Sequence, residues 1–210
     1  MTPLSHILEH KIVAIIRGAN PGDLQKIALA LVEGGIRTME ITLNSPGALA
    51  SIEALAGAMG DRLLVGAGTV LDAESARAAL LAGARFIISP TLDKETIRMT
   101  RRYGAVSIPG AFTATEILSA YEHGADIVKV FPASVGAAYF REMAGPLPFI
   151  PLMPTGGVSL DNIGAFRQAG AAAFGLGSSL VNSRTPATLE GMQELTARAR
   201  EFVRIVTTSA

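Results

Sequence analysis

Short β-branched runs alternate with Ala-, Leu- and Glu-rich helical patterns from one end of the chain to the other. The runs lie at 12–17, 37–43, 63–67, 85–89, 105–108, 126–131, 149–153 and 172–176. Helical patterns fill 21–34, 46–58, 72–82, 93–102, 113–122, 138–144, 159–168 and 186–206. Helix starts are marked by Pro21-Gly22-Asp23, Ser45-Pro46, Asp72, Asp93, Thr113, and Ser159 with Asp161, residue types whose side chains cap free N–H groups or pre-set the first turn. Stops recur at Gly34-Gly35, Gly83, Gly104, Gly124 and Gly170, as a left-handed C′ residue requires. The phrase that carries a helix through glycine into the next strand returns at Val32 to Ile36, Leu81 to Arg85, His123 to Ile127 and Gln168 to Ala172. A repeated helix-strand unit of this kind implies a single domain over 1–210.

Strands separated by helices pair in parallel through right-handed crossovers. Eight of them close naturally into a (β/α)8 TIM barrel, here with an extra N-terminal helix ahead of the first strand; a doubly wound open sheet is the alternative. Side-chain parity favours the barrel. In the second run Met39, Ile41 and Leu43 share one face, and Glu40, Thr42 and Asn44 share the other. In the sixth, Val128 and Val130 oppose Ile127, Lys129 and Phe131. An open sheet covered by helices wants apolar residues on both faces, whereas a barrel lumen near its mouth accepts a polar one.

Composition narrows the function classes. The chain is 49% hydrophobic and 17% charged, which supports a large core and excludes disorder. Its formal net charge is zero and it has no basic run, which argues against nucleic acid or an anionic membrane as partner. Without cysteine there is neither a disulfide framework nor a thiolate metal site. The opening MTPLSHILEHK lacks the apolar segment of a signal peptide, and no apolar run reaches the roughly 18 residues that span a bilayer. The expectation is a soluble, cytoplasmic protein.

Lys129 is the residue that asks for a chemical explanation. It sits inside Asp126-Ile127-Val128-Lys129-Val130-Phe131-Pro132, and lysine is almost never fully buried unless paired. Desolvation disfavours the cation and leaves an amine able to attack a carbonyl. Lowering its pKa from ~10.4 to ~7 corresponds to roughly 4–5 kcal/mol, too large a cost for an idle group in a marginally stable fold. The plainer alternative is a buried stem with its head reaching water. Glu40 is the other charge well inside a strand on the same presumed lumen face. Together they make an acid/base and a nucleophile, or else a structural ion pair, which stabilises little.

Other polar residues collect where the runs end, and in a barrel the active site lies at those carboxyl ends. They are Arg17, Asn44, Thr69, Ser89-Pro90, Pro109-Gly110, Thr155-Gly156-Gly157 and Gly177-Ser178. Glycine lets a ligand approach the backbone, and a short helix beginning near Ser178 would aim N–H groups at an anion. The loops after strands seven and eight are the usual phosphate site of this architecture. Plainer readings suffice elsewhere. His6 and His10, with Glu9, lack a third metal ligand and fit a solvated helix face; His123 fits a helix end; Arg101-Arg102 fits a solvated helix end.

Taken in order, AIIRG (14–18), MEITLNSP (39–46), GAGTVL (66–71), ISP (88–90), IPGAFTATEI (108–117), KVFPA (129–133), PTGGV (154–158) and GLGSSLV (175–181) resemble the class I 2-keto-3-deoxy-6-phosphogluconate aldolase family. The resemblance implies a homotrimeric TIM barrel that cleaves a 2-keto-3-deoxy-6-phospho sugar acid to pyruvate and glyceraldehyde 3-phosphate. Some members also cleave 4-hydroxy-2-oxoglutarate to pyruvate and glyoxylate. It implies Lys129 as Schiff-base lysine, Glu40 as proton shuttle, and no metal or other cofactor. Thr69 and Pro90 would border the pyruvyl part; Arg17, Gly156, Gly157 and Ser178 would hold the anionic groups, the last three favouring phosphate. Asn44 stands where gluconate-type members usually carry a carboxylate-binding arginine, so Arg17 or Thr69 would take more of that load. LNSP looks like the phosphogalactonate branch and Thr155 in PTGG like the phosphogluconate branch. The competing functions are a phosphosugar isomerase or epimerase, a metal-dependent aldolase, and a non-catalytic sugar-phosphate-binding protein. Lys129, together with the lack of a lumen histidine, argues against the first, and the complete Glu40–Lys129 pair against the last.

Overall fold

The computed structural model of the protein describes residues 1–182 and 187–208. Helix α1 (Pro3–His10) precedes strand β1 (Ile12–Ile16). There follow α2 (Leu24–Glu33), β2 (Thr38–Thr42), α3 (Ala48–Met59), β3 (Leu64–Gly68), α4 (Ala73–Leu81), β4 (Phe86–Ile88) and α5 (Lys94–Arg102). The second half runs β5 (Val106–Ile108), β6 (Gly110–Ala111), α6 (Ala114–Glu122), β7 (Val128–Val130), α7 (Ala137–Ala144), β8 (Leu152–Pro154), α8 (Ile163–Gln168), β9 (Phe174–Leu176) and α9 (Leu189–Thr207).

All strand pairing is parallel, in a six-stranded sheet ordered β5-β4-β3-β2-β1-β9 and a three-stranded sheet ordered β6-β7-β8. The architecture is therefore α/β with a curled parallel sheet, and the ladder does not run unbroken around eight strands as expected. Proline accounts for the breaks, because it has no N–H to give to a ladder. Pro109 divides the single extended segment that pairs with β4 through β5 and with β7 through β6. Pro154, the last residue of β8, has no N–H to give toward β9, which leaves one bridge to β9, Thr155 with Gly175, and a hydrogen bond from Ala172 N to Leu152 O (2.9 Å).

The caps behave as the sequence reads in most places. Asp72 accepts from Ser75 N (2.6 Å) and Asp93 from Thr96 N (2.7 Å). Thr113 and Glu116 form a reciprocal capping box at α6. Replacing Thr113 with alanine removes half of that box and should cost about 1 kcal/mol, read as a lower denaturant midpoint at unchanged slope. Several boundaries differ from expectation, among them the start of α2 at Leu24 and of β8 at Leu152. Ser45 is not a cap; its hydroxyl accepts from Gly18 N (2.9 Å) and bonds Thr42 Oγ1 (2.9 Å), tying the turn after β2 to the end of β1. Residues 159–162 form a turn closed by Asn162 Oδ1 on Ser159 N (2.8 Å), so α8 begins only at Ile163. The last helix begins at Leu189, and position 186, where it was expected to start, lies outside the described residues.

Side chains on one face of the strands pack outward against the helices, with Ala14, Met39, Ile41, Val65, Ile87, Val128, Val130, Leu152 and Phe174 in one buried cluster. The opposite face forms a second cluster of Val13, Phe86, Ile88, Val106, Ile108, Ile127 and Met153, on which α1 sets Leu4, Ile7 and Leu8. That apolar floor lies toward the amino ends of the strands. Above it, at the carboxyl ends, the inward face turns polar with Glu40, Lys129 and Thr155, all buried.

Candidate active site

Lys129 is central in β7, where its register partners are Gly110 and Met153. Gly110 matters because the Pro90 and Ser89 backbone occupies the space a Cβ would need there. The Lys129 side chain is nearly enclosed, with 5% of the residue exposed. Its Nζ lies 4.8 Å from the centroid of the Phe131 ring. Burial lowers its pKa below the usual lysine range; the Glu40 carboxyl opposes that shift and the Arg17 guanidinium adds to it.

Glu40 is central in β2, beside Ile15 and Gly66, and is 1% exposed. Burial pushes its pKa up to about 7, against the pull of Lys129 and then Arg17. Its Oε2 is one of three buried side-chain polar atoms without a hydrogen-bond partner among the described residues; Thr155 Oγ1 and Thr38 Oγ1 are the others. No ion pair within 4.0 Å among those residues involves Glu40 or Lys129. The two groups therefore sense one another electrostatically without forming a closed salt bridge. Such unsatisfied buried atoms are rare and costly.

A cavity of about 790 Å³ opens at the strand carboxyl ends and is lined by Arg17, Pro90, Lys129, Thr155, Gly156, Gly157 and Ser178 among others. Seven of the residues singled out from sequence thus meet in one place. Gly156 and Gly157 hold φ of 81° and 83°, which side-chain-bearing residues rarely adopt. A Cβ on Gly157 would also strike the Ser134 backbone at 2.8 Å. Thr69, with φ 56°, is a β-branched residue in the same region, an uncommon strain of the kind found at binding sites. Its Oγ1 accepts from Arg17 Nη2 (3.3 Å).

Glu40, Thr69 and Asn44 do not line the cavity. Glu40 lies behind it, Thr69 reaches it through Arg17, and Asn44 is exposed on the turn after β2. In place of a helix at Ser178, a single turn is closed by Val181 N on Gly177 O (2.9 Å). Phe131, Ser159, Ser179 and Asn182 also line the cavity and were not singled out from sequence. Ser159 reads as a helix cap and Phe131 as a strand residue, so neither carries a local signal; Ser179 shows only as the neighbour of Ser178.

The plainer readings need one amendment. His123 Nδ1 bonds Ser119 O (2.7 Å) at the end of α6. Arg101 is not merely solvated, since its guanidinium pairs with Asp126, whose other oxygen accepts from Ser107 N (2.8 Å). His6 and His10 line an open basin near the amino ends of β2 and β3, where His6 Nε2 bonds Arg37 O (2.9 Å). No group of three potential His, Asp or Glu metal ligands occurs among the described residues.

The model of the family described as KDPG and KHG aldolase matches residues 4–195. The chain belongs to that family. It is accordingly an aldolase, a carbon–carbon lyase. The chain is 39% identical over 171 residues to the 2-dehydro-3-deoxy-6-phosphogalactonate aldolase of Escherichia coli K12, covering 80% of this chain and 83% of that one. It is also 39% identical over 157 residues to the 2-dehydro-3-deoxy-phosphogluconate aldolase of Pseudomonas aeruginosa, covering 74% and 71%. Among solved structures, the KDPG aldolase of Legionella pneumophila superposes with a TM-score of 0.86 at 27% identity, over 95% of this chain and 97% of that one. That structure holds pyruvate as a covalent carbinolamine intermediate. An aldolase of this family thus forms the adduct that a buried, deprotonated lysine is suited to make.

Proposed function

We propose that this aldolase cleaves 2-dehydro-3-deoxy-6-phosphogluconate, its galactonate epimer, or both, to pyruvate and glyceraldehyde 3-phosphate through an imine on Lys129. The same site would turn 4-hydroxy-2-oxoglutarate into pyruvate and glyoxylate. The observation that carries this reading is the buried amine of Lys129 opening into a cavity with the carboxyl group of Glu40 behind it.

Uncharged Lys129 Nζ attacks the C2 ketone to give a carbinolamine, which loses water to form a protonated imine. That cation accepts the electron pair of the C3–C4 bond as Glu40, directly or through a water, takes the C4 hydroxyl proton, releasing the aldehyde and leaving an enamine. Glu40 returns a proton to C3, and water hydrolyses the imine to free pyruvate and the amine. A carboxyl group with a pKa of about 7 suits both halves of that cycle. Below that pH Glu40 is protonated and cannot act as the base, so kcat/KM should fall as pH drops through about 7.

Arg17 and Thr69, hydrogen-bonded to each other, would take the substrate carboxylate, with Pro90 against the pyruvyl part. Gly156, Gly157 and Ser178 would receive the phosphate, as glycine-rich loops at this end of such a fold commonly do. Holding the phosphate far from the reacting bond fixes that bond against both Lys129 and Glu40. Thr155, with its unpartnered hydroxyl, would meet a substrate hydroxyl, and Asn44 would leave the carboxylate to Arg17 and Thr69. The imine replaces a Lewis acid, so no metal is required.

The closed barrel belongs to the same proposal, as does a single catalytic domain over the whole chain. It is supported by the bridge from Thr155 to Gly175 and by Asp126 N on Ser107 O (2.9 Å), which span the two gaps between the sheets. A homotrimer in the cytoplasm is the expected setting. Exposed Tyr121 and Phe149, edge to face at 5.5 Å, offer apolar surface for association. No helix among the described residues is long and apolar enough to cross a membrane.

A coupled pyruvate assay with the two epimeric phospho sugar acids and 4-hydroxy-2-oxoglutarate tests the reading. Pyruvate should form from at least one of them, with the rate unchanged by chelator. Release from none, or release abolished by chelator, would overturn it.

A further inference from the structure

We propose that Gly68 is a positioning residue for proton transfer, its missing side chain forming the socket in which the Glu40 carboxyl group is held. This rests on the reading of Glu40 as the proton shuttle. Gly68 ends β3, two residues beyond Gly66, which is the register partner of Glu40. A Cβ built on Gly68 would lie 2.5 Å from Glu40 Cδ and 3.0 Å from Oε2, and closer still to Oε1. Those are the three nearest heavy atoms, so the space that glycine leaves is filled by one carboxyl group and nothing nearer. Backbone conformation gives no separate reason for glycine, because Gly68 is not among the residues of positive φ.

Gly66 shows the same device one step down the strand. The Phe86 ring fills the space of its absent Cβ at 2.5 Å. Phe86 belongs to the apolar floor, and the Glu40 carboxyl group lies over the next glycine on the same face of β3. Two bare positions in Gly66-Ala67-Gly68 therefore do different work: the first admits the Phe86 ring, and the second admits the carboxyl group itself. Glu40 Oε2 has no hydrogen-bond partner among the described residues. No hydrogen bond to that oxygen fixes the group, and Gly68 supplies the shape that holds it. The Gly68 carbonyl is itself fixed by Leu43 N (2.8 Å), which binds the socket to the strand that carries Glu40.

Gly68→Ala should displace the carboxyl group while leaving Lys129 in place. A displacement of about 1 Å in a reacting group can cost on the order of 10²-fold in rate, so kcat should fall by roughly that factor. Borohydride should still trap pyruvate on Lys129, and exchange of the pyruvate methyl protons with deuterated solvent, which needs the enamine to be protonated, should slow with kcat. In a Glu40→Ala background the carboxyl group is gone, and adding Gly68→Ala should change kcat less than about twofold, the non-additivity expected of groups in contact. If Gly68→Ala alone fails to fold, the double variant with Glu40→Ala must fold, since the methyl group then meets an empty space. The proposal is overturned by a Gly68→Ala enzyme near wild-type rate, by additive losses, by loss of the Lys129 adduct, or by a double variant that also fails to fold. Absence of any adduct in the wild-type enzyme would instead refute the imine reading itself.

Discussion

Lys129→Arg should eliminate turnover, by more than about 10⁴-fold, while the protein stays folded. The comparison is demanding because arginine preserves a positive charge at the end of a long stem. If Lys129 served only to attract an anionic substrate, or only to balance Glu40, arginine would keep much of the activity. The guanidinium stays protonated in proteins and offers no free electron pair, so it cannot attack the C2 ketone. Loss of a covalent nucleophile is among the largest single effects in enzymes, reaching about 10⁶-fold where it has been removed from a working site. The measurement is kcat for pyruvate release, with far-UV and near-UV circular dichroism to establish that the fold persists. Retention of even a hundredth of the wild-type rate would favour an electrostatic role.

Glu40→Gln should separate the two halves of the mechanism. Glutamine keeps the shape that fits over Gly68 but can neither accept the C4 hydroxyl proton nor return one to the enamine. Turnover should fall by ~10²–10⁴-fold, the usual share of a positioned acid/base group. Adduct formation with pyruvate should survive. The pH profile supplies a second signature. Burial raises Glu40 to about 7, the positive charge of protonated Lys129 being the largest opposing influence. The wild-type limb in kcat/KM at that pH is therefore expected to vanish in Glu40→Gln, leaving the residual rate flat through neutrality. A variant that keeps the limb would assign the titration to another group, and one near wild-type rate would remove Glu40 from the proton path.

Much of this site is readable from the chain because its residues break local rules. A lysine between valines and a glutamate between methionine and isoleucine contradict strand burial, and such contradictions concentrate where chemistry is done. Their placement at the carboxyl ends follows from the alternation of strand and helix. What stayed hidden is what depends on packing across strands. Nothing local says that Gly68 faces Glu40 rather than merely ending a strand, or that Gly110 makes way for the Pro90 backbone. Ser159 reads as a cap because the turn that Asn162 Oδ1 closes on its N–H, which delays the helix to Ile163, forms only in three dimensions. Asn44 shows the opposite limit, since its motif places it in the site whereas its position is an exposed turn outside the cavity lining. The breaks in the sheet trace to Pro109 and Pro154, visible in the sequence but silent about which neighbour each strand loses.

Peptide mass mapping after borohydride reduction in the presence of pyruvate tests the whole account most directly. A reduced pyruvyl group should be found on the peptide bearing Lys129, and on no other lysine-containing peptide. An unmodified Lys129 peptide in an enzyme that is actively releasing pyruvate would contradict it.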